Sequence, residues 1–138
     1  MKNSCSVNSK VIKVFVLDHL DGFCRSVKEI NAEDTLHEMY RLLHCDLVDA
    51  RDIEVNGENF CIWFDEEFLL TQSPVATFLL GEPKKGQCQP ICGSWMITRI
   101  GPEGETLGLT DEDIKMLWEY TDINGLKLHV AFKNGLFS

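Results

Sequence analysis

An α+β fold is predicted, a mostly antiparallel sheet of about five to seven strands with two main helices packed on it, and three observations carry that reading. Residues 11–18 and 60–64 alternate their side chains with the period of two that a strand requires. The stretches after Thr35 and after Thr110 repeat apolar residues at helical spacing behind a capping signal. Asn56-Gly57 stands between two apolar runs, the strongest short hairpin signal, because both turn residues must accept positive φ. The 138 residues amount to about one domain. With 44% hydrophobic and 25% charged residues the composition is that of a globular chain. A chain of this length buries roughly 68% of its unfolded surface and folds without cross-links.

Residues 1–9 are polar and are expected to be a flexible terminus, with 10–138 forming the single domain. Val11 to Asp18 sets Ile12, Val14 and Val16 on one side and Val11, Phe15 and Leu17 on the other, so it reads as a central strand buried on both faces. Asp21-Gly22 turns the chain into a short strand over Arg25 to Ile30. Thr35-x-x-Glu38 then reads as a capping box, followed by Leu36, Met39, Tyr40 and Leu43 on one helix face, ending near His44. Leu47 to Val55 and Phe60 to Phe64 form the hairpin, with Phe60, Ile62 and Phe64 facing one way and Cys61 and Trp63 the other. Ser73-Pro74 signals a short helical turn closed by Gly81, and a loop runs from Glu82 to Pro90. Ile91 to Ile100 reads as one strand, and Gly101-Pro102-Glu103-Gly104 as a turn. Thr110-x-x-Asp113 caps a helix carrying Ile114, Leu117 and Trp118. Asn124-Gly125 reads as a turn into a last alternating strand, with Leu126, Leu128, Val130 and Phe132 inward and Lys127, His129 and Lys133 outward. The helix between the early strands leaves one crossover open, and with it a mixed sheet. The expected core is Val14, Val16, Leu36, Met39, Leu43, Ile62, Phe64, Ile97, Leu117 and Val130.

Twenty-two acids against 13 Lys and Arg leave a net charge of −9, which argues against a general binder of nucleic-acid backbones. No apolar run nears the ~20 residues of a membrane span. The N-terminus shows no secretory signal, since Val11 to Leu17 is short and interrupted by Lys13. A cytoplasmic protein is expected, with its six cysteines as thiols.

The chemistry-bearing patterns are sparse. Cys88-x-x-x-Cys92, with His44-Cys45, offers ligands for zinc, but a structural site wants two tight pairs and the second is missing; free thiols and no bound metal are the plainer reading. Asp65-Glu66-Glu67 and Asp111-Glu112-Asp113 offer carboxylates for a divalent metal or for proton exchange. The second trio has the simpler role of complementing a helix N-terminus, the first that of a solvated turn. The four histidines show no metalloprotease spacing, and no nucleophile elbow or phosphate-binding glycine loop is present. Neither catalytic residues nor a cofactor are indicated. The basic residues are more informative. Lys84 and Lys85 share a loop, and Lys127, His129 and Lys133 form a stripe; with Trp63 or Trp95 they suit an anionic, ring-containing ligand through charge and stacking. The plainer alternative is edge-strand lysines that block aggregation and tryptophans in the core.

From Thr35 onward the sequence resembles the domain of unknown function 3846 family. The residues that carry the likeness are Leu36 to Leu43, Cys45 to Asp49, Ile62 to Leu70, Ile91 to Ile97 and Leu109 to Ile114, in that order. The resemblance implies a small protein of the kind frequent in phages, plasmids and other mobile elements, at work in the cytoplasm of a bacterial host. It carries no catalytic residues with it. It implies a non-catalytic accessory protein, with sequestration of a host-derived nucleotide or related signal as the leading expectation in a counter-defence role. The alternative is an acidic inhibitor of a host defence protein, and a second alternative is a small metal-dependent hydrolase using the acidic trios. Basic residues gathered round a pocket favour the nucleotide; dispersed, they favour a protein partner. A homo-oligomer is expected, because two helices do not cover both faces of such a sheet.

Overall fold

The computed structural model describes residues 10–67, 75–82 and 87–134. Eight strands and two helices are formed there: β1 (Val11–Asp18), β2 (Cys24–Asn31), α1 (Thr35–Leu43), β3 (Val48–Val55), β4 (Glu58–Asp65), β5 (Ala76–Glu82), β6 (Gln87–Cys92), β7 (Trp95–Ile100), β8 (Thr106–Leu107) and α2 (Asp111–Lys133). The main sheet runs β2-β1-β7-β4-β3, with β8 on the end of β7, while β5 and β6 make a separate hairpin. Every pairing among the described residues is antiparallel, so the fold is α+β and the crossover is not used.

β1 is central and apolar on both sides, as its alternation requires. Phe15 and Leu17 pack with Phe60, Ile62, Phe64, Trp95, Ile97 and Leu117 beneath α2 and the β5–β6 hairpin. Val14 and Val16 pack on the opposite face with Met96, Met39 and Leu43, beneath α1. Val14, Val16, Met39, Leu43, Ile62, Phe64, Ile97 and Leu117 are at most 2% exposed. Asn56-Gly57 makes the expected hairpin turn, with φ of 53° and 81°.

Several local expectations are overturned. Thr35 does not cap α1. Asp34 occupies that place, and the Glu38 carboxylate reaches past it to accept the Asn31 backbone N–H at 3.1 Å. Leu36 overhangs the sheet and is 50% exposed. The helical turn expected up to Gly81 is strand β5; Ser73 and Pro74, its signal, lie outside the described residues, as do residues 1–9. The expected Glu82–Pro90 loop is strand from Gln87 onward. The single strand read over 91–100 is two, because Gly93 adopts φ of 81° and turns the chain from the hairpin into the sheet. Thr77 holds this corner, its hydroxyl donating to the Gly93 carbonyl at 2.6 Å.

The largest correction concerns residues 126–133, which are not a strand but the last turns of α2. Leu117, Thr121, Asn124, Leu128 and Ala131 are buried at helical spacing, and Val130 is 53% exposed. Asn124-Gly125 does not turn because the Asn124 side chain has a better use. Its Oδ1 accepts the Leu79 N–H at 2.9 Å and its Nδ2 donates to the Leu79 carbonyl at 2.8 Å. Both Leu79 groups therefore point away from β6, which makes Leu79 opposite Pro90 a pair without ladder bonds. That is where a proline, lacking an N–H, is tolerated. The Asn124 amide thus stands in for a neighbouring strand and docks the hairpin on α2.

Asn124→Ala leaves the buried Leu79 N–H and carbonyl without these partners and is expected to destabilise the fold by roughly 2–4 kcal/mol. Denaturant unfolding measures it. A loss below about 0.5 kcal/mol shows that the clamp does not hold the hairpin.

Candidate functional site

The structure changes the placement of one of the two basic groups read from the sequence and does not describe the other. Residues 83–86, with Lys84 and Lys85, join β5 to β6 and lie outside the described residues. Lys127, His129 and Lys133 ride on a helix, so they no longer share a stripe: His129 and Lys133 are one turn apart, and Lys127 points to another side. The tryptophans are on opposite faces of the main sheet. Trp95 is 1% exposed among Phe15 and Phe78, and its indole N–H has no acceptor among the described residues. Trp63 is half-buried on the α1 side, and its indole donates to Thr98 Oγ1 at 2.9 Å. Among the described residues, Trp63, Trp95, Lys127, His129 and Lys133 line neither of the two grooves of the structure.

The arginines are dispersed and each is engaged by an acid of its own chain. Arg25 meets Asp122 at 2.7 Å and lies over the Trp118 ring, Arg41 meets Glu38 at 2.8 Å, and Arg51 meets Asp49 at 2.7 Å. Arg99 is the most deeply engaged. It reaches from β7 to Asp113 with contacts of 2.7 and 3.2 Å, and to Glu58 at 2.8 Å. Asp113 also closes the capping box of α2, accepting the Thr110 N–H at 3.0 Å while its own N–H donates to Thr110 Oγ1 at 3.1 Å. The capping role read from the sequence is thus present, with an ion pair added to it.

Around this pair lies a groove of about 690 Å³ lined by Glu58, Arg99, Gly101, Thr110, Glu112, Asp113 and Met116 among others. Glu58 and Glu112 stand at its surface, so the groove presents acids to solvent and keeps its one guanidinium tied. Glu66 and Glu67 of the other acidic trio are exposed, and the Asp65 carboxylate accepts the Glu67 N–H at 2.8 Å, as a solvated turn does. A second groove of about 380 Å³ between β3 and the hairpin is lined by Arg51, Asp52, Leu80, Gly81, Cys88 and Gln89. Among the described residues no group of three or more His, Cys, Asp and Glu is placed to hold a metal ion.

One cluster was not legible in the sequence. At the end of β1, Asp18 and His19 meet the residue that ends α1, His44, and the corner residue Ser94. The buried Ser94 hydroxyl accepts the His19 backbone N–H at 3.0 Å and lies 2.5 Å from His19 Nδ1. His44 Nε2 lies 3.0 Å from Asp18 Oδ1, and the two imidazoles stand edge to face at 5.9 Å. The Asp–His and Ser–His pairs run side by side and involve different rings, so the carboxylate does not orient the imidazole that holds the hydroxyl. A nucleophilic relay needs them in series, on a hydroxyl open to substrate. This cluster ties three segments together; it is not a catalytic triad. Only the fold brings residues 18, 19, 44 and 94 together, and no spacing signal announces it.

The cysteines are free among the described residues. Burial pushes the Cys61 thiol up to about 12 and the Cys45 thiol up to about 11, and raises that of Cys92, while Cys24 is exposed. At about pH 8, Cys24 is therefore expected to react with a maleimide far faster than Cys45, Cys61 or Cys92, as peptide mapping would report. Equal labelling of Cys61 contradicts its burial.

Asp113 supplies a pH test. Its carboxyl is held below the ordinary value, foremost by hydrogen bonds from Arg99, against the opposing effect of burial. A carboxyl lowered on folding stabilises the fold above its unfolded value of about 3.9, and this contribution drains as pH falls towards the folded value. Asp113→Asn is expected to be less stable than the natural chain at neutral pH but to lose less stability on acidification below about pH 4. Parallel acid limbs in the two proteins would contradict the pairing.

No curated protein and no solved structure matches this chain. The family model described as Domain of unknown function (DUF3846) matches residues 12–122, so the chain belongs to that family.

Proposed function

We propose that this protein is a non-catalytic binding module whose acidic groove beside Arg99 engages a basic surface of a partner protein. The observation that carries the reading is the disposition of the positive charge. All four arginines are held by carboxylates of the same chain, and the groove sets three acids, Glu58, Glu112 and Asp113, against the single Arg99 that Glu58 and Asp113 hold, in a chain of net charge −9. An anionic ligand needs a local positive cluster to overcome that field. The helical placement of Lys127, His129 and Lys133 removes one such cluster, and Lys84 and Lys85 lie outside the described residues. Dispersed, internally paired arginines favour a protein partner over a sequestered nucleotide. In the mobile-element setting that the family resemblance implies, the partner class is a host protein, a defence component included.

The test uses a fluorescent peptide of about 20 residues rich in Lys and Arg, titrated by anisotropy at low and at moderate salt. Binding is expected to weaken about tenfold in the Glu58→Gln, Glu112→Gln double variant. A control of equal charge, Glu29→Gln with Glu33→Gln at the far edge of the sheet, is expected to leave binding unchanged. Equal loss in both variants means that net charge alone is responsible and overturns the groove. Tight binding of a cyclic dinucleotide with none of the peptide replaces this reading with sequestration of an anionic messenger.

A further inference from the structure

The outward face of α2 carries an apolar stripe that is exposed among the described residues. Ile123, Leu126 and Val130 are 48%, 68% and 53% exposed, and they lie opposite the buried row of Leu117, Thr121, Asn124, Leu128 and Ala131. The exposed residues Glu119 and Lys133 stand at the two ends of the same stripe. The steps from 119 to 123, 126, 130 and 133 alternate four and three residues, which keeps all five within a sector of about 80° on the helix. Nearly all of the stripe falls beyond residue 122, where the family match ends.

The charges at the ends identify the occupant. Glu119 is seven residues before Leu126 and Lys133 seven residues after it. A second α2 laid antiparallel, with the two-fold axis at Leu126, sets Leu126 against its own copy and Ile123 near the partner's Val130. Glu119 of each chain then lies at the height of the partner's Lys133, about 10 Å from the axis on either side. A parallel pair would set Glu119 against Glu119 and Lys133 against Lys133, which is repulsive at both ends. The stripe is therefore complementary to itself in one orientation, as an isologous interface must be. We propose that two copies of this protein associate through α2, antiparallel about Leu126. This surface runs from Glu119 to Lys133, about two turns beyond Glu112 of the acidic groove, and the two proposals are tested by different variants.

A single helix pair buries less than the roughly 1,200 Å² of the smallest stable complexes, so the association is weak and concentration-dependent. Sedimentation equilibrium of the full chain from about 5 to 500 µM is expected to show a reversible monomer–dimer system. Leu126→Glu is expected to raise the dissociation constant by at least about tenfold with an unchanged melting temperature, because the side chain is 68% exposed. Glu119→Lys and Lys133→Glu each weaken the dimer about three- to tenfold, and the two together recover it, since the swap restores opposite charges across the axis. A strict monomer over this range overturns the proposal and assigns the stripe to a different partner. A dimer that ignores Leu126→Glu, or a double variant as weak as the single ones, overturns the antiparallel pairing.

Discussion

The ion pair between Arg99 and Asp113 sets the frame for the groove side of the molecule. β7 has β1 on one side and β4 on the other, so Arg99 projects from the best-supported strand of the sheet. Its guanidinium meets a carboxylate that is already committed to the first turn of α2. One side chain therefore starts the long helix, docks it on the sheet and neutralises a half-buried cation. Removing either member strands the other charge, which costs more than the pair contributes. Arg99 shares its donors between Asp113 and the half-exposed Glu58, and with Glu112 the groove keeps more negative than positive charge.

Helix α2 is held at a second point by the Asn124 amide, and the two attachments together explain its length. An asparagine followed by glycine is a poor pair for the interior of a helix. A Cβ placed at Gly125 meets nothing within 4 Å, so no packing demand accounts for that glycine. Asn124 is different, because its side chain satisfies two backbone groups of β5 that β6 leaves unpaired. Tertiary hydrogen bonding thus outweighs a strong local turn signal.

Several patterns were legible: the double-faced alternation of β1, the Asn56-Gly57 hairpin, the Thr110–Asp113 box and the expected core positions other than Leu36 and Val130. The misread elements are those whose partners are remote. Residues 126–132 alternate in polarity, and a strand pattern and a helix with an uncovered apolar face are the same letters there; only the contact of Leu128 and Ala131 with Leu79 decides between them. β5 is a strand because Ile91 and Asn124 border it. The candidate site suffered most. A basic stripe inferred from strand spacing disperses once the backbone is helical, and the charges that line the groove come from β4, β7 and the start of α2. Which carboxylate holds which arginine is a property of the folded chain, so a count of charges pointed to a binder without locating its surface.

The corner at Gly93 has a consequence for how the molecule comes apart. A single stretch of backbone serves the hairpin as β6 and the main sheet as β7, while β5 is tethered to the helix that covers that sheet. Peeling the hairpin away breaks the Asn124 bonds and uncovers Phe78 and Ile91, which belong to the same apolar cluster as Trp95 and Leu117. Local opening there is therefore costly, and the hairpin, the sheet and α2 are expected to exchange their amide hydrogens as one cooperative unit, not as a detachable flap on a stable core.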